Sequence, residues 1–333
     1  MTYKEKEARS IVIRAGRELL KSGLVARTWG NISARVSSTH FVITPSGRAY
    51  DTLQSEDLVL VRISDCSYEG DVKPSSEKGI HAAAYLHRPD AGVVIHTHQE
   101  YASCIGVSGK TLTDLKHPVL GDCVPCAAYG MPSTKKLERN VDKIMVQYPM
   151  ANAILMRNHG ALCLGRDMER AFEIAHALES VSRAVFEKEI ALQQERAADA
   201  QLLLTELQNG ANGRCFAIES HSAVQTVARK GKTMRPYLDD LAQIAGVTIR
   251  CAKNNAAAVA KAMKGRNAVL IPGIGAICCA EDEDDLAAVA SIMRKGCMTA
   301  LYASACGARP LSGLDCRIMR LVYTMKYAKK KQG

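Results

Sequence analysis

Three histidines combine residue type and spacing suited to metal chemistry. His96 and His98 lie in Val-Ile-His-Thr-His, and His159 lies in Met-Arg-Asn-His-Gly. Residues i and i+2 of a strand project to the same side of a sheet, so His96 and His98 can offer two imidazoles to one point. Two imidazoles alone do not make a catalytic metal site. A third brought in by the fold leaves coordination positions open for substrate, the arrangement of a catalytic zinc or a similar divalent ion. Glu77, upstream in Pro-Ser-Ser-Glu, adds a carboxylate. Each piece also has a plain reading. A His-x-His on a strand can be two hydrogen-bonded core histidines, Asn-His-Gly can be a turn, and Pro-Ser-Ser-Glu can be a helix cap with an acidic first turn. Their combination and order favour a site.

The elements that must position these residues follow from periodicity. Residues 5–22 predict a helix with Ile11, Val12, Ala15, Leu19 and Leu20 on its apolar face, stopped by Gly23. Strand-like runs follow at 30–36, 41–44 and 58–63. A helix opens at Ser75-Ser76-Glu77 and closes before Pro89, and residues 93–98 form a buried strand ending at the candidate ligands. A helix over 134–148, a strand over 153–157 and a long helix over 168–194 complete the pattern. Short strands alternating with helices predict a three-layer α/β domain over residues 1–205. Residues 195–214 predict a helix tail followed by a linker, and 215–333 a smaller C-terminal α/β domain.

That second domain partly repeats the first. At an offset of 115, residues 152–175 and 267–290 share eight identities without a gap, including Gly160 with Gly275 and Cys163 with Cys278. The chemistry does not recur. Ile274 stands where His159 does, and no His-x-His occurs after residue 200. The C-terminal domain therefore reads as a diverged partial repeat lacking metal ligands, structural or regulatory in role.

The 333 residues suffice for two cores. No apolar run approaches the length that crosses a bilayer, and the charged N-terminus reads as no signal peptide. Twelve scattered cysteines suit reduced thiols, so a cytoplasmic protein is expected. Cys123 and Cys126 form an isolated C-x-x-C, too little for a zinc ribbon. The net charge of +10 is C-terminal: residues 1–209 balance 25 basic with 25 acidic groups, whereas 210–333 carry 19 and 9. Such a region could meet nucleic acid, anionic ligands or an acidic partner. No nucleic-acid module accompanies it, so a solvated surface with a frayed tail is the preferred account.

Seven motifs stand in register along residues 5–195. They are Thr28-Trp29-Gly30-Asn31-Ile32-Ser33, Ile43-Thr44-Pro45-Ser46-Gly47, Pro74-Ser75-Ser76-Glu77, His81-Ala82-Ala83-Ala84-Tyr85, Val94-Ile95-His96-Thr97-His98, Val124-Pro125-Cys126-Ala127-Ala128-Tyr129 and Asn158-His159-Gly160. Together they resemble the class II aldolase/adducin family, in particular its fuculose-1-phosphate aldolase type. The resemblance implies that His96, His98 and His159 hold Zn²⁺ (or another divalent transition metal) as a Lewis acid on the substrate's hydroxyketone oxygens, stabilising the enediolate left by carbon–carbon cleavage. It implies that Glu77 is the acid/base at the reacting carbon, and that Tyr129 serves a neighbouring subunit's site in a homo-oligomer. Asn31, Ser46, Gly47, Ser75 and Ser76 match phosphate contacts, with Thr28 and Gly30 beside them. After Tyr129 the chain runs Gly-Met-Pro-Ser, where the aldolase has a different loop.

The expected activity is that of a zinc-dependent aldehyde-lyase, splitting a phosphorylated ketose into dihydroxyacetone phosphate and a short aldehyde. The same fold also serves decarboxylases, dehydratases, epimerases and the non-enzymatic adducin head. The epimerase type carries Asp where Glu77 stands, and a binding module is expected to have lost the histidines. Both comparisons lean toward the aldolase. Residues 215–333 match no comparable motif set.

Overall fold

Ala8, Ile11, Val12, Ala15 and Leu19 recur at helical spacing, and in the computed structural model they bury one face of α1 (Glu5–Lys21). The structure describes residues 2–25, 29–192, 200–210 and 213–330. Three short strands follow: β1 (Asn31–Arg35), β2 (His40–Ile43) and β3 (Val59–Arg62). Then come α2 (Lys78–His87), β4 (Val93–Thr97), α3 (Glu100–Gly106), β5 (Cys126–Ala127) and α4 (Lys135–Gln147). The hairpin β6 (Ala153–Met156) and β7 (Gly160–Gly165) leads into α5 (Met168–Glu189). Chain contacts divide the molecule into two units, Met1–Ala184 and Val185–Gly333.

The first unit is built on a seven-stranded sheet in the order β3-β2-β1-β4-β7-β6-β5. Every neighbouring pair is antiparallel except β5 with β6. Period-two alternation gives the sheet two buried faces. Phe41, Val94, Ile154 and Leu162 pack with Ile80 and Ala84 of α2 and Leu137 and Val141 of α4. Val42, Val93 and Ile95, of the opposite parity, are also buried, on the side taken by α1 and α3. His96 shares the parity of Val94, so it points toward the layer that contains α2. Central β4 pairs with both β1 and β7, placing Asn31 and Leu162 directly opposite His96.

The second unit contains α6 (Gln201–Asn209), β8 (Cys215–Glu219), α7 (Ser222–Arg229), α8 (Asp239–Ile244), β9 (Arg250–Cys251) and α9 (Ala256–Met263). It closes with β10 (Ala268–Ile271), β11 (Gly275–Ala280), α10 (Glu283–Cys306) and α11 (Gly313–Lys330). Its sheet order, β8-β11-β10-β9, has the directions of β4-β7-β6-β5. Ala268 pairs with Cys278 and Ile271 with Gly275, the register of Ala153 with Cys163 and Met156 with Gly160. The repeat read in sequence is thus a repeat of strand register.

The structure differs from the sequence reading at the junction. Within 195–214, expected as a helix tail followed by a linker, residues 201–209 form the separate helix α6, because Leu203 and Leu207 lie one helical turn apart and enter the second core with Val259 and Met263. The division between units falls at residue 184, earlier than the expected 205. Residues 193–199 and 211–212 of that expected tail and linker lie outside the described residues.

Candidate metal centre

The β6–β7 turn delivers the third histidine. Asn158 takes a left-handed φ of 61°, a conformation Asn tolerates, and His159 N donates to Met156 O at 3.1 Å. Gly160 follows for a steric reason: a Cβ there would sit 2.2 Å from Thr97 O and 3.2 Å from His96 Cε1. The hairpin can therefore close onto β4 only with glycine, and that close approach brings His159 to His96. Their ring centroids are 4.8 Å apart, as are those of His98 and His159. One ligand nitrogen from each of the three rings lies within 4.8 Å of those of the other two. Gly30 makes a matching approach from β1's side. Its φ is 118°, and a Cβ there would sit 2.5 Å from His96 O.

Glu77 is the N-cap residue of α2, but its carboxylate makes no capping bond. It turns inward instead, with Oε1 3.1 Å from His159 Nε2 and Oε2 3.3 Å from His96 Nε2. This decides against the plain capping reading. Asn31 Nδ2 donates to Glu77 Oε2 at 3.1 Å, while Asn31 Oδ1 accepts from His81 Nε2. An amide oxygen cannot donate, so His81 carries its proton on Nε2 and accepts at Nδ1 from Ser33 Oγ, 2.6 Å away. Ser33 Oγ in turn accepts from Tyr85 OH at 2.8 Å. The chain Tyr85–Ser33–His81–Asn31–Glu77 thus has one direction of donation, and it requires neutral His81.

Electrostatics agree with that assignment. Burial lowers the His81 pKa from 6.5 to about 3, against a partial rise from Glu77. Burial alone would raise the Glu77 carboxyl, but His159 beside it, by charge and hydrogen bond, holds it well below the usual carboxylate range. Burial likewise holds His96 well below an ordinary histidine, so its imidazole is neutral.

The donor set fits a divalent cation. His96 Nδ1 is 2.9 Å from Ala161 O and must donate to it, so His96 Nε2 presents a lone pair inward. That lone pair faces His98 Nε2 at 3.0 Å and a carboxylate oxygen at 3.3 Å. Either a proton on His98 Nε2, donated to His96, or a cation among these atoms satisfies that lone pair. A neutral imidazole whose other nitrogen donates to a backbone carbonyl is the usual state of a metal-bound histidine. His96, His98 and His159 are the residues that would hold the ion.

The candidate phosphate residues divide into groups. The Ser46-Gly47 turn is joined to the start of α2, with Ser46 N donating to Lys73 O at 2.9 Å and Ser75 N to Thr44 O at 3.0 Å. Gly47 has a φ of 74°, which the turn requires. Ser76 Oγ lies 2.7 Å from Ser133 Oγ at the start of α4. Asn31 is brought to Glu77 itself, and Thr28 lies outside the described residues. Tyr129 follows β5 at the sheet edge, with β6 and β7 between it and β4, and Asn140 Nδ2 donates to its carbonyl at 3.1 Å. Burial pushes the Cys126 thiol up to about 12, so the C-x-x-C does not offer a ready thiolate pair. Sequence reasoning assigned no task to Ser33, His81 or Tyr85; the spacing of His81 and Tyr85, i and i+4 on one helix, was the available signal.

Residues 10–186 match the model of the class II aldolase and adducin N-terminal domain. A curated relative, the 5-deoxy-D-ribulose 1-phosphate aldolase of Bacillus thuringiensis serovar kurstaki, is 30% identical over 190 residues, covering 56% of this chain and 86% of that protein. Among solved structures, an L-fuculose 1-phosphate aldolase superposes with a TM-score of 0.51 at 27% identity, covering 61% of this chain and 96% of its own. With more than half its length matched by one family model, the chain belongs to the class II aldolase and adducin N-terminal domain family.

Proposed function

We propose that this protein is a zinc-dependent aldolase. It cleaves a phosphorylated ketose to dihydroxyacetone phosphate and a short aldehyde. The observation that carries this reading is the almost fully buried Glu77 side chain, held against His96 and His159 by the Asn31–His81 chain. When bound, the divalent ion supplies Lewis-acid polarisation of the substrate's oxygens and offsets the negative charge that cleavage leaves on the ketone half. The protein supplies the rest. Glu77, directed by Asn31, moves the proton at the carbon where the bond breaks or forms. The neutral His81 fixes the Asn31 amide so that its NH₂ faces the carboxylate rather than its oxygen.

The phosphate is assigned to Ser46, Gly47, Ser75 and Ser76, and the family resemblance adds Gly30, Asn31 and Thr28. Backbone amides at the start of α2 favour an anion there. Tyr129, carried at the sheet edge, serves the site of another copy in a homo-oligomer, where its hydroxyl protonates or stabilises the aldehyde oxygen. The C-terminal unit keeps the strand register of the first but has Ile274 in place of His159, which supports a structural or regulatory role.

The test is product analysis with zinc-loaded full-length protein. L-fuculose 1-phosphate and 5-deoxy-D-ribulose 1-phosphate are offered, and release of dihydroxyacetone phosphate is followed. Its release from either substrate supports the aldolase. An isomeric ketose phosphate as product would overturn it in favour of an epimerase, and carbon dioxide from a sugar-acid phosphate in favour of a decarboxylase.

A further inference from the structure

Ten large apolar side chains are exposed among the described residues, and five of them lie on α11: Leu314, Ile318, Leu321, Val322 and Met325. They are 39 to 66% exposed. The helix is not loose. Its inner face buries Cys316 and Met319, and Arg320 donates to the carbonyls of Gln243 and Ile244 at the end of α8. The preceding segment is pinned as well, Leu311 N donating to Pro236 O at 2.9 Å and Arg235 to Leu311 O at 2.9 Å. A fixed helix therefore presents a fixed apolar face.

Leu314, Ile318, Leu321 and Met325 are spaced four, three and four residues apart, the seam of a two-helix coiled coil. Val322 widens that seam on one side. All five are aliphatic or thioether side chains, without the aromatic residues that anchor helices at a lipid interface. Their exposed fractions correspond to about 500 Å² per copy, so two copies would bury about 1,000 Å², the lower range of a specific interface.

We propose that α11 is a dimerisation helix whose occupant is the α11 of a second copy, running antiparallel. The 4-3-4 spacing is symmetric about the midpoint between Ile318 and Leu321. Across a two-fold axis there, Ile318 meets the second copy's Leu321, and Leu314 meets its Met325. Charge chooses the direction. By sequence the chain beyond Met325 is lysine-rich, so a parallel pair would add like charge to like charge at that end. An antiparallel pair avoids this and opposes the helix dipoles. The seam lies outside residues 10–186, so it is an association surface additional to the family domain and independent of the proposed reaction.

The test measures the mass of the full-length chain by light scattering and sedimentation, with thermal melts as the control for folding. Ile318→Glu and Leu321→Lys, made separately, replace exposed residues and should each halve the particle mass without lowering the melting temperature. Mixing the two variants should restore the wild-type mass, because in the antiparallel pair the introduced carboxylate of one copy faces the introduced ammonium of the other across the axis. Unchanged mass in both folded variants overturns the proposal. Halved mass without rescue on mixing overturns the antiparallel pairing. Unchanged mass together with wild-type co-sedimentation on anionic phosphatidylglycerol vesicles would assign the stripe to a membrane surface instead. Should either variant fail to fold, Leu314→Lys at the seam's exposed end provides the same mass comparison.

Discussion

Asn31→Ala separates positioning from phosphate binding. The side chain is buried, gives Glu77 its amide donor at 3.1 Å and takes the His81 proton donor on its oxygen. A hydrogen bond to a charged group contributes about 1.5–3 kcal/mol, so its loss should slow the proton-transfer step roughly 10- to 150-fold. Removing the donor also destabilises the Glu77 anion, so the acid limb of the rate profile should move to higher pH. The His81 N–H is left buried without its partner, at a cost of about 1–3 kcal/mol in folding stability. The assay is turnover at saturating substrate across pH, with unfolding curves in parallel. In a Glu77→Gln background the same substitution should lower the residual rate less than about twofold, since residues acting through one group are not additive. An unchanged rate at saturation, an unmoved acid limb and a raised KM alone would refute the positioning role and return Asn31 to the phosphate.

His81 gives a pH prediction with a definite sign. Its folded-state pKa of about 3 lies below the ordinary 6.5, so the unfolded chain takes up its proton first as pH falls. The stability it contributes is complete above pH 6.5 and is lost on acidification, by about 2 kcal/mol between pH 6.5 and 5. In urea titrations of metal-free protein, His81→Gln should lack that increment. Gly160→Ala and Gly275→Ala make a matched pair, since their added Cβ atoms would sit 2.2 Å from Thr97 O and 2.3 Å from Glu219 O. Both should lose about 3 kcal/mol by chemical denaturation, but only Gly160→Ala should also lose stoichiometric zinc. Chelation should abolish cleavage, with activity restored by Zn²⁺ in the wild type and not in His96→Ala or His98→Ala.

Much of the site was legible because its signals are local. His96 and His98 share a strand, and the two-residue period alone turns them to one side. Glu77 was legible as a carboxylate at a helix start, but its direction was not, because capping and an inward turn require the same residue type there. The chain through His81 and Ser33 joins a helix to the strand β1, and only the sheet order shows that β1 lies against β4. Strand β5 has two residues, too few for any period to register. That 201–209 form a helix of their own, rather than the tail of the preceding one, is hidden in the sequence, because the Asn and Gly residues that follow carry a stronger turn signal than two leucines at helical spacing. The seam on α11 was likewise hidden: a run of apolar and basic residues does not say which face the fold has already used.

The central claim is that Glu77 moves a carbon-bound proton at the three-histidine centre. Exchange of the dihydroxyacetone phosphate C3 proton in D₂O, followed by NMR, tests it without knowledge of the aldehyde. Zinc-loaded wild type should catalyse exchange, and Glu77→Gln carrying the same zinc should not. Absence of exchange in the loaded wild type, or equal exchange in the variant, would contradict the account.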